Sequence, residues 1–183
     1  MQIMDIIKMR RSVRKFASAQ VEDDTIRKVL EAARLAPSWR NQQCWKFVVV
    51  NQSEMIKKVV EHTGIYNRAW LGKAPVLIIA CGDPAASGSG NGQPYYMVDV
   101  AIATEHLVLA ATELGLGTCW IGAFDADEIK SMLEIPNHIE IVTIIPLGYP
   151  HRKDSLAGKM AKAVVRSHTR KPIDEIFFYN KWK

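Results

Sequence analysis

Arg10-Arg11-Ser12-Val13-Arg14 sets three guanidinium groups and a hydroxyl within five residues, just after a short helical signal around Ile6 and Ile7. Planar guanidinium forks bind phosphate oxygens in pairs, so this cluster can grip a phosphate. A solvated basic turn would carry the same residues, and the string alone does not separate the two. A second group, Ala36-Pro37-Ser38-Trp39-Arg40-Asn41-Gln42-Gln43-Cys44-Trp45, crowds polar side chains and two indoles between a helix end and a strand. A planar heteroaromatic ligand would use both kinds of side chain. Helix termination at Pro37 with a local turn at Asn41 explains them equally well. In the third group, Gly115-Leu116-Gly117-Thr118-Cys119-Trp120-Ile121-Gly122-Ala123-Phe124, glycines allow tight turns that bring backbone N–H groups close to a ligand.

Other chemistries find little support. His62, His106, His138, His151 and His168 are scattered, and no nucleophile stands with a base and an orienting acid. Cys44, Cys81 and Cys119 are far apart and form neither a CxxC pair nor a disulfide ladder. A reducing cytoplasm is therefore expected, with no structural zinc and no catalytic metal. Cys119 reads as a small buried hydrophobe. Gly88-Ser89-Gly90-Asn91-Gly92 has neither GxGxxG nor Walker spacing, and a mobile loop is expected there.

The elements that must hold these groups follow from periodicity. Ile26, Val29, Leu30 and Ala33 repeat at helical spacing before Pro37. Trp45 to Val50 is rich in aromatic and β-branched residues and predicts a strand, with Trp45 and Phe47 in the core and Trp39 lining a pocket. A helix capped at Ser53 should follow. Val76 to Ala80 is a continuous apolar run, the pattern of a central strand covered on both faces. Tyr95 to Leu114 predicts a buried core helix; its Asp99, Glu105, His106 and Glu113 rule out a simple membrane span. Thr118 to Ile121 is a short strand candidate, Asp125-Ala126-Asp127-Glu128 a capping box, and Ile139 to Leu147 the last strong strand. Alternating strands and helices would ordinarily suggest a doubly wound parallel sheet.

The chain has 183 residues, 48% of them apolar, and a formal charge of +5. That is the size of one globular domain and argues against disorder or a fibrous repeat. No secretory signal is expected from the start, Met1 to Asp5. Beyond Pro150, basic residues accumulate with little apolar periodicity, so 151–183 reads as an extended arm with an apolar anchor at Ile176-Phe177-Phe178-Tyr179. No nucleic-acid-binding module is visible.

RRSVRKF, APSWRNQQCWKF, ATELGLGTCWIGAF, IPLGYP and RKPIDEIFFYNKW, in that order, resemble the nitroreductase family of FMN-dependent oxidoreductases over nearly the whole chain. The resemblance implies an α+β fold: a three-layer α/β/α arrangement around a mostly antiparallel or mixed sheet, in a single domain 1–183. The arm would be exchanged between subunits of a homodimer with FMN sites at the interface. It implies that Arg10, Arg11, Ser12, Arg14 and Arg170 hold the FMN phosphate and the pyrimidine edge of the ring, with His168 assisting at the phosphate. Pro37, Ser38, Trp39 and Asn41 would reach the flavin from the partner subunit. Trp120, Ile121, Gly122 and Ala123 would lie beside its redox edge. Cys44 stands where the family usually has proline, Trp39-Arg40 is bulkier than its usual small polar pair, and Asn67 is not carried over because Arg68-Ala69-Trp70 matches poorly.

The implied activity is ping-pong hydride transfer, in which NAD(P)H reduces FMN and an electron-poor nitroaromatic, quinone or related compound is then reduced. The cofactor carries the chemistry, and Arg14 is the candidate for electrostatic tuning. Flavin-dependent dehalogenation or flavin breakdown on the same scaffold is an alternative. So is a non-catalytic flavin-binding regulator, if Trp39 closes the pocket. Neither nucleic acid nor membrane is an expected partner.

Overall fold

The apolar run at Val76 has no solvent side. The strand it forms, β2 (Val76–Gly82), is buried at every residue, because side chains alternate between the two faces of a sheet and both faces are covered. Val76, Ile78 and Ala80 join one core with Val29, Ala33, Leu107 and Ala111. Leu77, Ile79 and Cys81 join a second with Val59, Leu71, Ile129 and Ile144. The computed structural model describes residues 2–151 and 169–182, which fall in two units, Met1–His151 and Arg152–Lys183.

The first unit begins with α1 (Ile3–Met9), α2 (Asp23–Arg34), β1 (Trp45–Val50), α3 (Ser53–Glu61) and α4 (Ile65–Leu71) ahead of β2. A single-turn α5 (Pro84–Ser87), a hairpin of β3 (Ser89–Gly90) and β4 (Gln93–Pro94), and the long α6 (Tyr95–Glu113) follow. β5 (Gly117–Thr118), α7 (Ala126–Met132) and β6 (Glu140–Gly148) complete it. The main sheet has the order β1-β2-β6-β5 with antiparallel pairing throughout. Residues of α2 and α6 fill the core on one face, and residues of α3, α4 and α7 fill the other. This is the expected three-layer α+β architecture.

The doubly wound alternative suggested by alternating elements is not what forms. Two helices, not one, separate β1 from β2, and the chain re-enters the sheet from the end it left. β1 and β2 then pair antiparallel from Trp45↔Gly82 to Val50↔Leu77.

Local expectations fare unevenly. Asp125 caps α7, its carboxylate accepting the Glu128 N–H at 3.3 Å. Ser53 is the first helical residue and makes no capping bond; Gln52 occupies the cap position. The strand candidate Thr118–Ile121 reduces to β5 plus an isolated bridge from Ile121 to Ile144. The glycine-rich stretch 88–92 is an ordered hairpin: Ser89 pairs with Pro94 and Gly90 with Gln93. Asn91 and Gly92 form its turn with φ of 53° and 74°, the left-handed pair that matches the twist of a tight hairpin. Along α6, Val100, Ala103, Leu107, Val108 and Ala111 are fully buried, while Met97 and Val98 are about half exposed (50% and 45%). The helix is apolar on a side that this unit does not cover, and α1, which packs on it, adds exposed Ile3, Met4, Ile7 and Met9.

Candidate functional site

Backbone hydrogen bonds sew the basic segment to the sheet. Val13 N–H donates to Thr118 O at 2.8 Å, Ala17 N–H to Tyr149 O at 2.8 Å, and His151 N–H to Lys15 O at 2.9 Å. The approach is close because two glycines permit it. A Cβ on Gly117 would sit 2.6 Å from Val13 Cγ2, and one on Gly148 would sit 3.0 Å from the Phe16 ring. Gly117 therefore serves packing, while Gly115, with φ of 76°, makes the turn after α6.

This stitching gathers Arg10, Ser12 and Arg14 around Cys119. Burial pushes the Cys119 thiol up, against the opposing influence of Arg14, Ser12 and Arg10. Arg10 also faces α6, where burial raises the Glu105 carboxyl while Arg10, the Trp120 indole and His106 pull it down. Glu105 is a member of this cluster that residue type and spacing did not reveal. Arg11 is not gathered in: its guanidinium turns back to the carbonyls of Lys8 and Arg10 and satisfies the end of α1.

The stretch after β5 is anchored at both ends. Ile121 exchanges two backbone hydrogen bonds with Ile144, at 3.0 and 3.1 Å, and its carbonyl also accepts from Thr143 Oγ1 at 3.0 Å. Further on, Ala123 O accepts from Gly64 N–H and Asp125 N–H donates to His62 O, both at 2.8 Å. Between these anchors Gly122 and Ala123 are exposed. Neither N–H has a backbone acceptor among the described residues, and nothing lies within 4 Å of a Cβ built on Gly122. Trp120 is 38% exposed beside them. Asn67 belongs here too: its Nδ2 lies 3.8 Å from the Cβ position of Gly64, which itself sits 3.1 Å from Ala123 Cβ. His62, Thr63, Gly64, Arg68, Ala123 and Phe124 line much of an open depression of about 310 Å³ at this edge.

The 37–43 loop is built differently. Arg40, Asn41 and Gln43 all have left-handed backbones, with φ of 49°, 57° and 50°. Each such residue costs roughly 1–2 kcal/mol relative to ordinary backbone, so something must hold it there. Ser38 Oγ accepts the Gln43 N–H at 2.9 Å, Ser38 O accepts the Asn41 N–H at 3.0 Å, and Asp99 Oδ1 accepts the Trp39 N–H at 2.9 Å. The Trp39 ring stacks on Tyr95, with centroids 5.5 Å apart and planes 15° apart. The Arg40 guanidinium lies 4.4 Å from the Trp39 centroid. Trp39 lines a slot of about 180 Å³ with Pro37, Ser38, Tyr95, Val98 and Ile102. Trp45 is buried and Phe47 partly buried in the core.

In the second unit, Arg170 is exposed and donates to Thr169 O at 2.9 Å. His168 lies outside the described residues. Phe177 meets Tyr179 edge-on, and Phe178 tilts against Trp182, so the apolar part of the arm forms local aromatic pairs.

The unit is a three-layer α+β fold with an antiparallel sheet, a guanidinium and hydroxyl cluster at Cys119 after β5 and exposed backbone at Gly122 and Ala123 further along the same stretch. The nitroreductase family profile matches residues 7–65 and 58–149, and the chain belongs to that family. A relative from Archaeoglobus fulgidus, named "Putative NADH dehydrogenase/NAD(P)H nitroreductase", is 37% identical over 81% of this chain and 86% of its own. One of the same name from Methanothermobacter thermautotrophicus is 36% identical over 82% of this chain and 78% of its own. A crystal structure of a nitroreductase family protein from Clostridium novyi NT superposes with a TM-score of 0.79 at 36% identity, covering 84% of this chain and 89% of that one. These matches support an NAD(P)H oxidoreductase of this family.

Proposed function

We propose that the protein is an FMN-dependent NAD(P)H oxidoreductase, a homodimer that reduces nitroaromatic, quinone or related electron-poor compounds by a ping-pong mechanism. The observation that carries this is the convergence of Arg10, Ser12 and Arg14 on Cys119, three residues before the exposed amides of Gly122 and Ala123. The residues fit the cofactor: cations and a hydroxyl suit its phosphate, and exposed N–H groups beside Trp120 suit the polar edge of a planar ring. Arg170, from the far end of the chain, would join the phosphate grip. Bound there, FMN supplies hydride transfer from NAD(P)H and electron delivery to the acceptor, chemistry that needs no protein nucleophile or base.

The chain's own part is to bind and to tune. Arg14 would contribute positive charge to the site, and the exposed amides of Gly122 and Ala123 would offer donors already fixed by the backbone. Asp99 and Glu105 stand six residues apart on α6, a separation of about 9 Å along the axis and roughly 240° around it. The 37–43 loop held by Asp99 thus stands on another side of α6 from the Arg10 cluster, which favours delivery of Pro37, Ser38 and Asn41 to the flavin of a second subunit. Exposed Ile3, Met4, Ile7, Met97 and Val98 offer the apolar surface that a dimer would cover, and the arm would wrap the partner. The three thiols are free and buried, in keeping with a cytoplasmic setting. The regulator alternative needs Trp39 across the pocket, but that ring is stacked on Tyr95 of its own chain.

Titration of the apo-protein with FMN, repeated for Arg10→Ala and Arg170→Ala, tests the assignment. Each variant should bind at least about 10-fold more weakly, as loss of a charged hydrogen bond implies. Unchanged affinity in both would overturn the phosphate site. Anaerobic mixing with NADH or NADPH should bleach the bound flavin, and binding without bleaching would argue for a non-catalytic protein.

A further inference from the structure

Asp99 is an acidic side chain inside an apolar helix, only 2% exposed. Burying a carboxylate is unfavourable unless hydrogen bonds replace the water it loses. Its oxygens accept from the Trp39 N–H at 2.9 Å, from Ser87 Oγ at 2.9 Å and from Cys44 Sγ at 3.7 Å. Burial pushes the Cys44 thiol up, with Ser87 opposing and Asp99 adding to the rise, so the sulfur keeps the proton it donates. The three donors come from the 37–43 loop, the end of α5 and the residue before β1, and this carboxylate on α6 accepts from all three.

The consequences reach the loop and the hairpin together. With its amide fixed, the Trp39 ring contacts both Tyr95 and Arg40, and its edge rests where Gly88 has no side chain: a Cβ there would meet Cζ3 at 2.8 Å. Tyr95 N–H in turn donates to Gly88 O at 3.2 Å and closes the hairpin onto the helix start. Three left-handed residues directly follow the pinned amide or lie within four residues of it. Strained backbone of that kind persists only where surrounding bonds over-determine it.

We propose that Asp99 is the positioning residue of the 37–43 loop, and that by fixing the Trp39 amide it presents Ser38 and Asn41 to the flavin ring. The geometric half stands on the contacts above; the flavin half rests on the function proposed here. Asp99 acts through the loop and touches neither cofactor nor substrate.

Three measurements test it. In the wild-type protein, hydrogen exchange should find the Trp39 amide at least about 100-fold better protected than the Arg40 amide. Equal rates would overturn the clamp without recourse to any variant. In the apo-protein, Asp99→Leu should abolish the near-ultraviolet circular dichroism of the stacked Trp39–Tyr95 pair, and Asp99→Asn, which restores one acceptor oxygen, should recover most of it. With FMN bound, the leucine variant should shift the visible circular dichroism of the flavin and raise the acceptor KM about 10-fold, the asparagine variant less than about 3-fold. A folded leucine variant with the wild-type flavin spectrum and KM would overturn the flavin half. A wild-type protein that takes up no FMN would overturn the proposed function instead, while the exchange and near-ultraviolet arms would still decide the clamp.

Discussion

Segment 10–16 and loop 37–43 both present polar groups toward solvent, yet they are held by different means. The first lies flat along β5 and the end of β6, fixed by backbone hydrogen bonds at 2.8–2.9 Å and by glycines that let Val13 and Phe16 approach the sheet. Its side chains are placed by ordinary extended backbone. The second departs from ordinary backbone at three residues and is kept there by bonds to Ser38 within the loop and by one carboxylate 60 positions away. Backbone stitching makes a rigid binding edge from local pairing, whereas side-chain pinning makes a loop whose shape depends on a distant residue. Damage to the first should abolish anion binding, and damage to the second should spare it.

Gly117→Ala gives the largest expected effect. The added Cβ would fall 2.6–2.8 Å from three atoms of Val13, and a β-branched side chain already packed on the sheet has nowhere to retreat. Overpacking of this kind destabilises by up to about 3 kcal/mol, or roughly 6–12 °C in Tm for a chain of this length. Lifting the segment should also move Arg10, Ser12 and Arg14 together and weaken FMN binding by about 100-fold or more. Calorimetry and flavin titration check both, and a variant with wild-type Tm would mean that the segment is not held as described.

The contrast between the two regions also explains what could be read from residue order. Strong apolar runs marked β1, β2, β6 and α6, and the motifs RRSVR, PSWRN and GTCWIGA marked where polar groups would collect. Three layers followed from the resemblance, but the antiparallel order did not follow from periodicity, since β1 and β2 are joined by helices that say nothing of strand direction. Asn91-Gly92 carries a hairpin signal of its own; it was obscured by surrounding glycines that suggest flexibility, when Gly88 and Gly90 lie instead against the rings of Trp39 and Tyr95. Asp99 and Glu105 were visible only as charges that forbid a membrane span, because a hydrogen bond spanning 60 positions leaves no trace in local spacing.

Gly88→Ala should have an intermediate effect and sharpen the division. At φ of 82° and ψ of −171°, Gly88 occupies backbone that only glycine adopts freely, and the new methyl would press on the Trp39 ring. A loss of about 2 kcal/mol is expected, within the usual range for such positions. FMN affinity should stay within about 3-fold of wild type, while the acceptor KM rises. If this variant loses FMN as completely as Gly117→Ala, the two regions form one cooperative unit and the division fails.

Glu105→Gln should have the smallest effect, and it probes the stitched region alone. Burial raises the Glu105 carboxyl above its ordinary 4.5, with Arg10, Trp120 and His106 opposing. The folded protein therefore holds this proton more tightly than the unfolded chain. Its contribution favours folding below the unfolded value of 4.5 and is lost as pH rises through the raised folded value. At neutral pH the glutamine variant should melt about 1–2 °C higher, a gain of well under 1 kcal/mol that vanishes on acidification. The same substitution removes a negative charge facing Arg10, so FMN should bind about 3-fold more tightly at pH 7, a modest change in keeping with a partly exposed charge pair. Titration of the free ligand's phosphate is common to both proteins and cancels in the ratio of their dissociation constants, which leaves the changes made within the site. That ratio should fall toward one as the carboxyl takes up its proton; a ratio independent of pH would place Arg10 out of reach of Glu105 and dissolve the cluster on which the stitched site depends.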